Sequence, residues 1–255
     1  MKLNVLCNNE EQLYAALSNE KVDTVIVEAD AVDRPVIDIC HENGKKAAIA
    51  LPYIFRDLAY VETDGYDEVY VRSLDELQYY HEKKPMQKLV ADYGLYSMNR
   101  MAGTFLREHG ISRLTAPVEL NEGELKNLGL SDKELIVYGH IPMMISAQCV
   151  RKNTRGCDST HGFMNIRDRT DKLLTVENKC AYCYNLIYNP NPLSLAGCFD
   201  RVRRLQPDTV RINLTIEDGE QSERVISTFA GAVAGKNVSD SDGEYTRGHF
   251  TRGVE

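Results

Sequence analysis

The 255-residue chain contains no apolar run approaching the ~20 residues a helical bilayer crossing takes. Its opening, MKLNVLCNNEEQ, has no secretory h-region, because acidic and amide residues follow at once. Both absences point to a cytoplasmic protein with no membrane partner. No GxGxxG and no GxxxxGK-S/T follows a strand-like run, so a nucleotide-binding doubly wound sheet has no support. Nor does GxSxG or HExxH frame a serine nucleophile or a zinc-protease site. Seven cysteines, an odd number, in a chain this long argue for thiol ligands and free thiols rather than a disulfide scaffold.

What the sequence does have is a concentration of thiols. Cys149, Cys157, Cys180 and Cys183 follow the spacing C-x7-C-x22-C-x2-C, with Cys198 just beyond. Two close pairs separated by a longer excursion suit one metal centre, and four soft thiolates select zinc or an iron–sulfur cluster over hard cations. Arg151, Lys152, Asn153, Arg155, Asp158, Asn178 and Lys179 surround them, which is not the composition of a buried core. Cys7 and Cys40 lie early, on a strand and a helix, and read as packing residues. The net charge of −8 is uneven: residues 1–139 carry 15 Lys+Arg against 24 Asp+Glu, whereas residues 140–255 carry 15 against 14. Basic residues grouped near the thiols suit an anionic substrate such as nucleic acid or a carboxylic acid.

Along the chain, short apolar runs alternate with amphipathic helical patterns. Strands are predicted at Leu3–Cys7, Thr24–Glu28, Lys46–Leu51, Glu68–Arg72, Lys88–Asp92, Arg113–Val118 and Glu134–Tyr138, about 20–24 residues apart. Between them, helices are expected after Asn8 or Asn9, over Val36–Asn43, from a capping box at Ser73 and Glu76, over Ser97–His109 and over Asn121–Leu128. In Ser97–His109, the residues Met98, Met101, Phe105 and Leu106 form the apolar side. Leu193–Leu205 reads as a helix, Thr209–Thr215 as an eighth strand and Glu220–Ala234 as a final helix. This period is a repeated βα unit, and eight of them predict a (β/α)8 TIM-like barrel. The barrel is expected to span residues 1–255, with a cysteine-rich insertion at 140–192 after the seventh strand and a polar tail at 239–255. Phe163–Val176 should form a hairpin about Asp168–Lys172 that returns Cys180 to Cys149.

The stretch from Tyr138 to Leu195 resembles the collagenase-like peptidase family, peptidase family U thirty-two. The likeness rests on YGHIPMM, CVRKNTRGC, IRDR, CAYCYN and NPLSL. It extends more weakly to ALP at Ala50–Pro52, APVEL at Ala116–Leu120 and the ending TRGHFTRGVE. The resemblance implies a 4Fe–4S cluster on Cys149, Cys157, Cys180 and Cys183. It also implies hydroxylation of an RNA base, with prephenate as the small carboxylic acid co-substrate, or a part in ubiquinone synthesis. The middle gap is longer than is common in the family and the last pair is C-x2-C rather than C-x3-C, which makes Cys198 a substitute ligand. The chain looks most like the C-terminal barrel of longer members, where it would be joined to an N-terminal barrel domain. Two other classes stand beside this one: a peptidase, as the family name implies, and a structural zinc module of an RNA-binding protein.

Among the remaining candidates, His140 follows the seventh strand and Glu119 the sixth. Both lie at the face where barrel enzymes carry their chemistry, His140 to reach substrate or cluster and Glu119 as an acid or base. Arg151, Arg167, Arg169 and Asn185 are the expected substrate-binding residues, although Arg167 and Arg169 are also placed to pair with Asp168 or Asp171. Asp92, Tyr93 and Asn99 follow the fifth strand. Tyr182 and Tyr184, which flank Cys183, are placed to shield a metal.

Overall fold

In the computed structural model, which describes residues 1–32, 35–54, 56, 61–240 and 243–253, the chain begins with seven strands. They are β1 (Lys2–Cys7), β2 (Val22–Glu28), β3 (Lys46–Ala50), β4 (Glu68–Val71), β5 (Leu89–Ala91), β6 (Ile111–Thr115) and β7 (Lys133–Gly139). Helices α1 (Glu10–Ser18), α2 (Val36–Glu42), α3 (Leu74–Lys83), α4 (Arg100–Glu108) and α5 (Glu122–Leu128) lie between them. The chain then departs into an insertion of β8 (Pro142–Ser146), α6 (Val150–Thr154), β9 (Gly162–Arg167), β10 (Leu173–Lys179) and β11 (Tyr184–Tyr188). It returns through β12 (Leu193–Ser194) and α7 (Phe199–Leu205) to β13 (Thr209–Asn213) and α8 (Gly219–Val233).

Strands β1 to β7 and β13 pair in parallel and close. β6 joins β7 at Leu114↔Lys133, β7 joins β13, and β13 joins β1 from Lys2↔Thr209 to Leu6↔Asn213. The fold is therefore the (β/α)8 barrel that the period predicts. Local sequence sets the helix starts. Asn9 accepts from the Gln12 amide, and capping boxes form at Ser73/Glu76, Asn121/Glu124 and Asp218/Gln221. One apolar layer packs helices against strands; a smaller one, Leu6, Ile26, Ala48, Ala50, Tyr70 and Val90, fills the barrel axis.

The hairpin expected at Phe163–Val176 is the β9–β10 pair, part of a four-stranded antiparallel sheet in the order β8-β11-β10-β9. Three expectations need correction. Leu193–Leu205 is not one helix: Leu193 and Ser194 pair antiparallel with β7, a 3₁₀ turn covers Ala196–Cys198, and the helix starts at Phe199. The pairing wins because the end of β7 offers an open edge there. Second, α4 starts only at Arg100, capped by Asn99. Met98, Met101 and Phe105 are exposed, and Gly103 and Leu106 supply its buried face. Third, Asn178 and Lys179, read as solvated neighbours of the thiols, are buried. In the tail, residues 241–242 and 254–255 lie outside the described residues.

Candidate metal centre

At the C-terminal ends of β2, β4 and β5 stand three buried charges, Glu28, Arg72 and Asp92. Arg72, just after β4, donates both terminal nitrogens to the Glu28 carboxylate at 2.8 Å and its Nε to Asp92 at 2.9 Å. The far oxygen of Asp92 accepts from Arg211 at 2.6 Å, and Arg211 pairs with Glu134 at 3.0 Å. Glu134 also accepts from Asn4, Tyr70 and Thr115. A ladder of alternating charge thus climbs the barrel interior: Glu134, Arg211, Asp92, Arg72, Glu28. Burial pushes the Asp92 carboxyl up, but the Arg211 and Arg72 guanidiniums outweigh it and hold its pKa at about 2.

The insertion sits on this mouth and continues the ladder. Lys179, at the end of β10 and buried, donates to Asn8 at 2.8 Å and to Asp30 at 2.9 Å, and lies 2.9 Å from Glu177. Glu177 accepts in addition from Asn8, His161 and Tyr188. Burial alone would raise the Glu177 carboxyl, yet the Lys179 ammonium and those donors bring it down to about 2. Tyr184, Leu186 and Tyr188 of β11 pack with Tyr53 and Ile54, and the Tyr53 ring lies 3.8 Å beneath the Arg72 guanidinium. The inner face of the insertion is thus a lid fixed by buried charge.

The thiols lie at one end of that lid. Cys149 caps α6, accepting from the Lys152 amide at 3.4 Å, and its sulfur lies 3.8 Å from the Asn178 side chain. Cys157 is exposed in the loop after α6. Cys180 and Cys183 occupy the turn from β10 to β11, where the Cys183 amide bonds back to the Cys180 carbonyl and Cys183 adopts φ +56°. The Cys180 sulfur donates to the Thr160 carbonyl at 2.9 Å, and Arg151 reaches the same carbonyl at 3.0 Å. Burial raises the Cys180 thiol; the Arg151 cation opposes this, while the neighbouring Cys149 and Cys157 sulfurs add to it. Cys180 is therefore the thiol that has two others, Cys149 and Cys157, among its charged surroundings.

The donor set suits a thiophilic metal: all four cysteines are free, and each is at least partly exposed. Among the described residues, no three His, Cys, Asp or Glu side chains are already close enough together to hold one ion. Cys198 stands apart, ahead of α7, with Arg247, Arg201, Asp240 and Glu122 as its charged neighbours.

The other sequence candidates are scattered over the barrel and the insertion. Arg151 and Asn185 serve the scaffold. Arg151 binds Asp158 and Thr160, and the buried Asn185 accepts the Val150 amide at 2.9 Å, which fixes the start of α6 beside Cys149. Arg167, paired with Asp171 at 2.8 Å, and Arg169, in the β9–β10 turn, are exposed. His140 is buried, with Nδ1 donating to the Asn189 carbonyl at 2.8 Å and Nε2 3.9 Å from Glu217. Glu119 lines a separate cavity. Of the residues after β5, Asp92 belongs to the ladder, Tyr93 bonds the Tyr53 hydroxyl and Asn99 caps α4. Tyr182 and Tyr184 stack at 6.5 Å, with Tyr184 turned to the mouth.

Sequence reading missed Glu28, Arg72, Arg211, Glu177 and Lys179. A signal was present for the first three, since TVIVE, EVYVR and TVRINLT each place a charge inside or at the end of an otherwise apolar strand. Such a charge survives there only if the barrel interior pairs it.

Compared by sequence, the chain matches no protein family and no curated protein. Compared by structure, it is similar to the U32 peptidase Mk0906, with TM-score 0.50 and 12% identity over 86% of this chain and 94% of that one. It also matches the C-terminal domain of a putative chitinase from Desulfitobacterium hafniense, with TM-score 0.44 and 9% identity over 91% and 99%. A third match is an uncharacterized B. cereus protein, with TM-score 0.46 and 12% identity over 88% and 64%. At such identity the first likeness establishes a fold, a (β/α)8 barrel like that of a U32 peptidase, and leaves chemistry to the residues. No helix among the described residues is long and apolar enough to cross a membrane.

Proposed function

We propose that the chain holds an iron–sulfur cluster on Cys149, Cys157, Cys180 and Cys183 and hydroxylates an RNA base, with a small carboxylic acid as co-substrate. The observation that carries this reading is the placement of Cys149, Cys157, Cys180 and Cys183, all free and at least partly exposed, around α6 and the β10–β11 turn at one end of a lid bolted to the barrel mouth. A bound cluster supplies the one-electron chemistry that the protein's own side chains lack. Arg151 and Asn185 hold the loops that present the thiols. Lys152 and Arg155, exposed beside Cys149 and Cys157, supply cations for phosphate, and Arg167 and Arg169, exposed at the far tip of the β9–β10 hairpin, extend the basic surface. Zinc on the same four thiolates is the alternative, and would make the lid a structural module of an RNA-binding protein.

The peptidase reading finds less support in the side chains. His140 bonds a backbone carbonyl and faces Glu217, His161 bonds Glu177, and His249 bonds the Gly253 carbonyl. Among the described residues, the hydrogen-bond partners of these three rings include no cysteine or serine.

The test is RNA binding and product analysis with anaerobically purified protein. Supplied with RNA and with the carboxylic acid co-substrate as oxygen donor and two-electron oxidant, wild type should add one oxygen to a base, and Cys180→Ala should abolish the product. Arg169→Ala should weaken RNA binding and flatten its salt dependence while the metal stays in place. Full product formation by a Cys180→Ala protein that has lost its metal contradicts the catalytic role.

A further inference from the structure

The end of the barrel opposite the thiols carries a charge imbalance that neither the cluster nor the RNA reading uses. Side chains alternate along a strand, so counting back in twos from the residues that fill the barrel axis finds those that ring its N-terminal opening. From Leu6 the count reaches Lys2, from Ile26 Thr24, from Ala48 Lys46, from Tyr70 Glu68 and from Val90 Lys88. Arg113 of β6 joins them, since its guanidinium donates to the Glu68 carboxylate and, at 3.0 Å, to the Tyr70 hydroxyl. Four cations thus face the opening against one carboxylate, and Lys88 and Arg113 share it. Lys2 and Lys46 are left over. Their ammonium groups, and that of Lys21 in the turn before β2, have no hydrogen-bond or ion-pair partner among the described residues. Asp67, the acid that Lys46 influences, is committed to the Ala47 amide and to His41.

Lys2, Lys21, Lys46 and Arg113 line one cavity of about 660 Å3, and the three lysines are exposed, so a ligand can reach them. Two carboxylates line it as well: Asp23, one of whose oxygens accepts the Leu3 amide at 3.1 Å, and the exposed Glu20. The excess is positive, in a chain whose net charge is −8. Like charges gathered around a concavity raise its potential, and an anion that enters relieves their repulsion. Strands β1 and β3 lie two strand spacings apart, about 10 Å, so a ligand with several negative centres meets Lys2 and Lys46 together more fully than a single small anion does. We propose that the N-terminal mouth of the barrel binds an oligophosphate, with the Lys2, Lys21 and Lys46 ammonium groups as its counter-ions and Arg113 at its floor. The phosphate chain can be inorganic or part of a nucleotide, because both present the same oxygens.

Calorimetry at fixed ionic strength and without divalent metal, with tripolyphosphate, orthophosphate and ATP as probes, tests the proposal. Tripolyphosphate should bind saturably, and orthophosphate at least about tenfold more weakly, the factor that one charge-assisted hydrogen bond supplies. Lys46→Gln should weaken tripolyphosphate binding about fivefold and the Lys2→Gln/Lys46→Gln double variant about twentyfold, as solvent-reaching ion pairs do. Lys46→Arg keeps the charge and should stay within about twofold of wild type. Lys126→Gln, on exposed α5 surface, should leave binding unchanged. The three lysines are exposed, so these substitutions disturb no core. Binding of ATP at least as tight as that of tripolyphosphate assigns a nucleotide, and weaker binding of ATP assigns the inorganic chain. No binding of tripolyphosphate, orthophosphate binding as tight, or unchanged binding in the double variant overturns the site. So does equal weakening in Lys126→Gln, which marks general attraction to surface charge, or loss of binding in Lys152→Gln, which moves the ligand to the thiols. RNA modification and metal content are not read in any arm, so the outcome is separate from that of the cluster reading.

Discussion

At the scale of single residues, the chain's least expected feature is Lys179. It stands next to a cysteine in a sequence whose composition is not that of a core, yet it is buried among Asn8, Asp30 and Glu177. Its neighbourhood in sequence shows only one of its partners, Glu177, because the other two, Asn8 and Asp30, follow β1 and β2 well over a hundred residues earlier. Lys179→Met should therefore cost about 3–5 kcal/mol, because it strands the Glu177 carboxylate without its cation in a buried site. Urea unfolding measures this, and a loss below about 1 kcal/mol would show that the contact is not held in solution. Asn185 is a second case. It looked like a substrate residue beside the thiols, and its side chain instead accepts the Val150 amide. Asn185→Ala should cost about 1 kcal/mol and speed alkylation of Cys149 in metal-free protein, because the start of α6 is then free to fray.

At the scale of elements, the strands were the legible part. A buried parallel strand is an apolar run whatever its neighbours do, and the capping residues at Asn9, Ser73, Asn121 and Asp218 mark helix starts through purely local bonds. The β9–β10 hairpin was legible for the same reason, since Asp168 organises its turn by accepting from Thr170 and Lys172. What a local reading could not supply was partnership. Leu193 and Ser194 become a strand only because β7 has an edge for them, and the exposed apolar side of α4 would have to be buried for its periodicity to predict packing. Gly139 shows how tight the exit of β7 is. Its φ is +143°, and a Cβ there would fall 2.5 Å from the Asn213 carbonyl oxygen. Gly139→Ala should destabilise by about 2–4 kcal/mol through combined strain and overlap, read as a lowered melting temperature.

At the scale of the whole molecule, the barrel is closed at its mouth by an insertion fastened with charge, and that gives it a distinct acid response. Asp92 has its carboxyl lowered from 3.8 to about 2 by Arg211 and Arg72. Its stabilising contribution is complete above the unfolded value and is lost as pH falls from about 4 towards 2, as both states become protonated. Glu177, held at about 2 beside Lys179, behaves in the same way. The wild-type protein should therefore lose a few kcal/mol across that window, and an Asp92→Asn protein, already weaker at neutral pH, should lose less there. The thiols at the outer end of the lid carry the central claim, which is that they hold an iron–sulfur cluster. Iron and acid-labile sulfide, measured together with the visible spectrum on anaerobically purified protein, test it most directly. The account predicts a brown protein with iron and sulfide in equal amounts, both lost in Cys180→Ala. A colourless protein that carries zinc, or no metal at all, would contradict it.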